Sequence, residues 1–178
     1  LATWIESLAN EGLTTGWEAY DGFQYRIDTD PPYSGSGFSS LDAGKGYSIY
    51  YNSDHLYTID GVLNTSDVSC PLACTDPLQP TVYGLNLLGN PFSCGLDWDV
   101  IANDINYPAN TSKAIYFAYD GNYVYYTPGS GSAPFVTGII PPMQGFFTKT
   151  YASGNSITLS AAARTLSTAA SRYKGKSE

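Results

Sequence analysis

The residues best equipped for metal or redox chemistry are Cys70, Cys74 and Cys94, the three cysteines of the chain, and His55, its one histidine. An odd number of cysteines leaves one thiol over unless it pairs between molecules. Cys70 and Cys74 flank Pro71-Leu72-Ala73, so they can close a small disulfide loop. Pairing either one with Cys94 would instead staple a long connection to the Gly89-Asn90-Pro91 turn. A three-thiolate metal site needs a fourth ligand, and His55 sits at no spacing that recommends it. A disulfide is the expectation. Oxygen ligands come in two short pairs: Asp28 and Asp30 in Asp-Thr-Asp, and Asp97 with Asp99. Either pair could ligate calcium, which is the only cofactor left open, but neither has the full ligand run of a calcium loop. Turn and capping carboxylates are the plainer reading.

Catalytic patterns are missing. The chain has no Gly-x-Ser-x-Gly elbow, and His55 falls in a polar hairpin turn. A glycosidase needs two carboxylates across a cleft, and such a pairing is not visible in one sequence. Dinucleotide and phosphate-loop fingerprints are absent. The expectation is a protein that is not an enzyme. Asn64-Thr65-Ser66 and Asn110-Thr111-Ser112 match glycosylation acceptors, relevant only in a host that uses them.

Aromatic side chains offer a different chemistry, because their faces stack on the apolar faces of pyranose rings. The chain has 3 Trp and 16 Tyr. Trp17, Tyr33, Tyr123 and Tyr125 lie near loops and are the candidates for an exposed ligand-binding surface. Trp98, between two Asp residues, reads as a core anchor. Tyrosine is also an ordinary cross-strand partner in sheets, carrying its hydroxyl to water.

These residues need a framework, and composition points to strands and turns. Charged residues make up 13% and aromatics 15%, alongside 18 Gly and 11 Pro. That is the profile of a β protein with many connections. A net charge of −8 argues against a nucleic-acid partner. No apolar run approaches the roughly 20 residues of a membrane span.

The pattern also repeats. Ala19-Tyr20-Asp21-Gly22 recurs as Ala118-Tyr119-Asp120-Gly121, and the same shift brings Gly46-Tyr47 onto Gly145-Phe146 and Leu41 onto Ile140. Residues 1–80 are expected to form a first β-rich half lacking its first strand, 81–164 a second half sharing the core, and 165–178 a tail or linker. Counterparts of the strand and Gly-Asn-Pro turn would lie before Leu1, which reads either as a fragment of a longer exported protein or as a processed N-terminus. Each half predicts two hairpins. In the first, strands flank Asp21-Gly22, and Tyr47–Tyr51 turns at 52–54 into Leu56–Ile59. In the second, Ile115–Tyr119 turns at Asp120-Gly121 into Tyr123–Tyr126, and Phe146–Tyr151 turns at 153–155 into Ser156–Leu159. Asp-Gly supplies the positive φ angles of a type I′ turn. Residues 30–40 and 127–134 read as exposed loops. Short helical turns are expected at Trp4–Leu8 and Asp99–Ile105. The fold class expected is all-β, a β-sandwich or jelly-roll-like arrangement with an internal duplication and at most one or two short helices.

Several motifs resemble a module common in large secreted proteins of Bacteroidetes-type bacteria. They are Gly84-Leu85-Asn86-Leu87-Leu88-Gly89-Asn90-Pro91-Phe92, Leu96-Asp97-Trp98, Ala114-Ile115-Tyr116, Ile140-Pro141-Pro142-Met143-Gln144-Gly145-Phe146-Phe147 and Ala163-Arg164-Thr165-Leu166-Ser167. Gly44-Lys45-Gly46-Tyr47 resembles the same family's first-half strand, while Leu85 departs from its usual Trp. The resemblance implies export, a secreted or cell-surface location, and neighbouring adhesive, carbohydrate-active or sorting domains. It supplies no catalytic residues. The role expected is a non-catalytic accessory module binding polysaccharide or another glycan. The alternative is a structural spacer between the domains of a larger protein.

Overall fold

The computed structural model describes the backbone of residues 17–20, 25–27, 42–49, 61–74 and 84–167. In it the chain is an antiparallel all-β protein. The strands are β1 (Trp17–Tyr20), β2 (Tyr25–Ile27), β3 (Tyr47–Ile49), β4 (Val68–Pro71), β5 (Leu85–Gly89), β6 (Gly95–Asp97), β7 (Thr111–Tyr119), β8 (Asn122–Thr127), β9 (Ser130–Gly131), β10 (Ile139–Ile140), β11 (Gly145–Thr150), β12 (Ser156–Leu159) and β13 (Arg164–Thr165). Among the described residues there is one α-helix, α1 (Trp98–Ala102), and one 3-10 turn, Ala161–Ala163.

The largest sheet has the order β5-β11-β7-β8-β9. Its inner face carries Leu88, Phe146, Ile115, Phe117 and Tyr126. These pack against Leu96 and Ile140 of the β10-β6-β13 sheet and Cys70, Ile157 and Leu159 of the β12-β4 pair. Alternation drives the packing: along β12, Ile157 and Leu159 are buried while Ser156 and Thr158 are exposed. β11 is buried on both faces, its Thr148 and Thr150 as well as Phe146 and Phe147.

Trp98 is 0% exposed, and its indole N–H donates to Lys113 O at 2.8 Å. It therefore anchors α1 to β7 from within the core, as its place between two aspartates suggested. Asp97 caps α1 by accepting from Asp99 N at 2.9 Å.

The β7–β8 hairpin closes with Tyr119 opposite Asn122, leaving Asp120-Gly121 as the two-residue turn. Their φ angles of +46° and +75° are those of the expected turn type. The corresponding first-half hairpin pairs Tyr20 with Tyr25, not with Phe23 as a two-residue turn at Asp21-Gly22 would require, and residues 21–24 lie outside the described residues. The order β2-β1-β3 nevertheless matches β8-β7-β11, with the middle strand antiparallel to both neighbours in each case. On the 99-residue frame, the Ala19–Tyr47 pairing sits one residue away from the Tyr116–Phe147 register.

The expected hairpin of Phe146–Tyr151 with Ser156–Leu159 does not form. Gly154, at φ +80°, helps turn the chain away from the large sheet. β12 pairs instead with β4, in the register Ile157 to Cys70. The Asn155 side chain fixes this departure by donating to Ala109 O at 3.0 Å and Thr150 Oγ1 at 2.9 Å. Within 127–134, Ser130–Gly131 forms β9 on the edge of β8. Sheet structure also runs one residue past the expected tail boundary, because Thr165 pairs with Gly95. The expected helical turn at Trp4–Leu8 and the strand at Leu56–Ile59 lie outside the described residues.

Both glycines of Gly44-Lys45-Gly46 are forced by proximity. Gly44 has φ +82° and abuts the Cys70 sulfur, while Gly46 presses on Leu87. Gly46 N donates to Leu87 O at 2.9 Å, and Lys45 bridges to Leu88. Phe146 holds the opposite edge of Leu88. β5 thus lies between the Gly44–Gly46 segment and Gly145–Phe146, and the sequence repeat equates Gly46 with Gly145.

Candidate functional site

One row of side chains crosses the outer face of the large sheet. Leu87 on β5 stands opposite Phe147 on β11, Phe147 opposite Tyr116 on β7, and Tyr116 opposite Tyr125 on β8. Cross-strand partners share a face, so these four form a continuous apolar and aromatic ladder. Leu87 and Phe147 are buried in a small cluster of their own with Leu85 and Tyr116. At the other end, Tyr125 is 47% and Tyr123 61% exposed. The ladder therefore starts under cover and emerges into solvent at β8.

Ring geometry links the two ends. Tyr123 stands opposite the small Ala118 and makes an edge contact with Phe147, with centroids 5.7 Å apart and planes at 75°. Tyr116 and Tyr125 are 6.2 Å apart at 49°. These rings are mutually tilted, so the face is faceted and not a single flat plane. A second exposed pair, Tyr119 and Phe135, lies 4.9 Å apart at 41°. No sequence pattern marks Phe135, whose place beside Tyr119 depends on how the chain after β9 folds back.

Tyr123 and Tyr125 are thus brought together on one exposed face, while Trp17 has only its backbone described, in β1, and Tyr33, Asp28 and Asp30 lie outside the described residues. The second aspartate pair is used structurally. Asp97 caps α1, and Asp99 accepts both oxygens' hydrogen bonding from the Tyr126 hydroxyl at 3.1 and 2.9 Å. That hydroxyl also accepts from Gly129 N at 2.9 Å. Burial first, and then the Asp99 carboxylate, raise the Tyr126 pKa. Among the described residues no three His, Cys, Asp or Glu side chains are grouped to hold a metal ion.

The expected disulfide is not formed: Cys70, Cys74 and Cys94 are free thiols. Cys70 is buried with its sulfur 3.6 Å from Gly44 O, a weak hydrogen bond that occupies it. Burial pushes its thiol up to about 12.

The Gly-Asn-Pro and Gln-Gly-Phe motifs are structural partners. Asn90 is 0% exposed. Its side-chain amide donates to Cys94 O, Ile140 O and Pro141 O at 2.8, 3.0 and 3.0 Å. Its side-chain oxygen accepts from Phe92 N at 3.0 Å, and its backbone N–H donates to Gln144 O at 3.1 Å. Asn86 plays a related part by bonding both the N–H and the C=O of Ala73, at 2.8 and 3.0 Å. These polar residues are spent on backbone groups.

No protein-family model, curated protein or solved structure matches this chain.

Proposed function

We propose that the chain is a non-catalytic accessory module of a larger secreted or cell-surface protein, binding glycan through the outer face of its large sheet. The observation that carries this reading is the exposure of Tyr123 and Tyr125 at the end of the aromatic ladder. Monomeric proteins rarely leave neighbouring large aromatics in water without a use for them. A tyrosine face combines an apolar surface with a hydroxyl at its rim, which suits a sugar ring with CH groups on its faces and hydroxyls at its edge. The −8 net charge favours neutral over acidic polymers. Affinity electrophoresis against neutral polysaccharides, with Tyr123 and Tyr125 replaced, tests the proposal.

The tilt of Tyr116 against Tyr125 favours a second reading, a structural spacer whose aromatics serve cross-strand packing. The two readings part on whether a polymer retards the chain. The matching orders β2-β1-β3 and β8-β7-β11 support a duplicated origin under either reading.

A further inference from the structure

A cleft of about 330 Å3 lies away from the tyrosine ladder, between α1, the turn that follows it, and the β12 end of the small sheet. Val100, 47% exposed, and the partly buried Tyr107 and Pro108 give it an apolar wall, with Ile101 and Ile157 behind them at 3% and 0% exposed. Its rim is polar: Asp67, Asp104, Asn106, Thr158 and Ser160 all line it. Part of this rim is already held in place. Asp67 accepts from Ser160 Oγ at 3.1 Å and Ala161 N at 2.7 Å, and Asp104 accepts from Asn106 N at 2.7 Å. Each of these contacts uses a single carboxylate oxygen, so lone pairs remain for a ligand. The side chains of Asn106 and Thr158 bring both donors and acceptors. Among the described residues no Lys or Arg lines the cleft.

We propose that this cleft holds one hexopyranose ring that carries no acidic group, as a second subsite of the glycan-binding module; the inference rests on the glycan reading above. The apolar wall of Val100, Tyr107 and Pro108 takes the CH face of such a ring. A rim of carboxylate, amide and hydroxyl groups takes the hydroxyls around its edge. A pocket with an apolar base and a few convergent polar groups is the usual form of a small-ligand site. Two carboxylates without a neighbouring cation repel a uronic acid, so the ring must be neutral or amino-substituted.

The test uses the full chain with three soluble probes: cellotriose, the glucosamine trimer and the galacturonate trimer, followed by calorimetry. Val100→Trp and Thr158→Trp fill the cleft from opposite walls, and both replace residues exposed to solvent. Unchanged urea denaturation of each variant establishes that it folds. The expected result is binding of the neutral or the amino trimer, weakened at least about tenfold, or roughly 1.4 kcal/mol, by either filling variant. Three results overturn the subsite: no binding of either trimer, equal binding of galacturonate, or binding indifferent to both filling variants. Polymer retardation that survives with the trimers unbound would end the subsite while sparing the glycan reading. Loss of both would end the two together.

Discussion

The side-chain amide of Asn90 donates a 3.0 Å hydrogen bond to the carbonyl of Ile140, joining two motifs 50 residues apart in sequence. With Cys94 O and Pro141 O on the same nitrogen, one buried amide gathers three backbone carbonyls.

Replacing Asn90 with Ala strands those carbonyls in the core, where each unsatisfied group carries a desolvation penalty. Asn90→Ala is expected to lose on the order of 3 kcal/mol of stability in urea denaturation. A loss below about 0.5 kcal/mol, typical of a surface change, would contradict the assignment.

Tyr126 connects β8 to the start of α1 through Asp99 and to the β8–β9 turn through Gly129. Tyr126→Phe keeps the ring and removes both connections. The expected cost is about 2 kcal/mol, because one partner is a carboxylate. Asp99→Ala and Tyr126→Phe should be strongly non-additive in a double-mutant cycle. Additive losses would mean that the two groups do not act on one another.

Tyr47 and Tyr107 have phenols pushed up to about 12 by burial, an effect that hydrogen bonds from the Asp42 backbone and with Thr148 only partly offset. A phenol in the unfolded chain ionises near about 10. Folding therefore favours the neutral form of each. Their contribution to stability is fully present below about pH 10 and is lost as pH rises through the folded value. A phenolate absorbance titration should show a late-titrating fraction that merges with the rest in urea. A single native transition at the ordinary value, with the fold intact, would contradict this.

Cys70 should resist alkylation in the folded protein under mildly alkaline conditions, since its thiol is both buried and held protonated. Cys94, only partly buried, should react first. Peptide mass mapping reads the order directly. Modification of Cys70 at the rate seen in urea would contradict its placement.

Local features were legible in the sequence because local chemistry decides them. Asp120-Gly121 names its own turn, and Trp98 between aspartates reads as the anchor it is; the helical turn expected at Asp99–Ile105 instead runs Trp98–Ala102 behind the Asp97 cap. Strand pairing was not equally legible. β12 finds β4 across the length of the second half, and the intervening Gly154 and Asn155 look the same whether they close a hairpin or direct the chain to another sheet. Cys70 illustrates the same limit, because a cysteine facing a glycine carbonyl and one facing another sulfur have identical sequence. Tyr123 and Tyr125 were singled out by their place near loops, and the period-two alternation of β8 is what sets them on one face. The cleft below α1 was invisible, since its walls come from residues near 67, 100 to 108 and 157 to 162.

The central claim is that the β8 end of the aromatic ladder binds neutral glycan, and affinity electrophoresis of the full chain with Tyr123→Ala/Tyr125→Ala tests it most directly. Cellulose derivatives, xylan, mannan and β-glucan, each with and without calcium, form the panel. The account predicts that at least one polymer retards the native chain, and that the double variant, folded by urea denaturation, runs as if no polymer were present. Retardation unchanged in the double variant, or no retardation by any polymer, would contradict it.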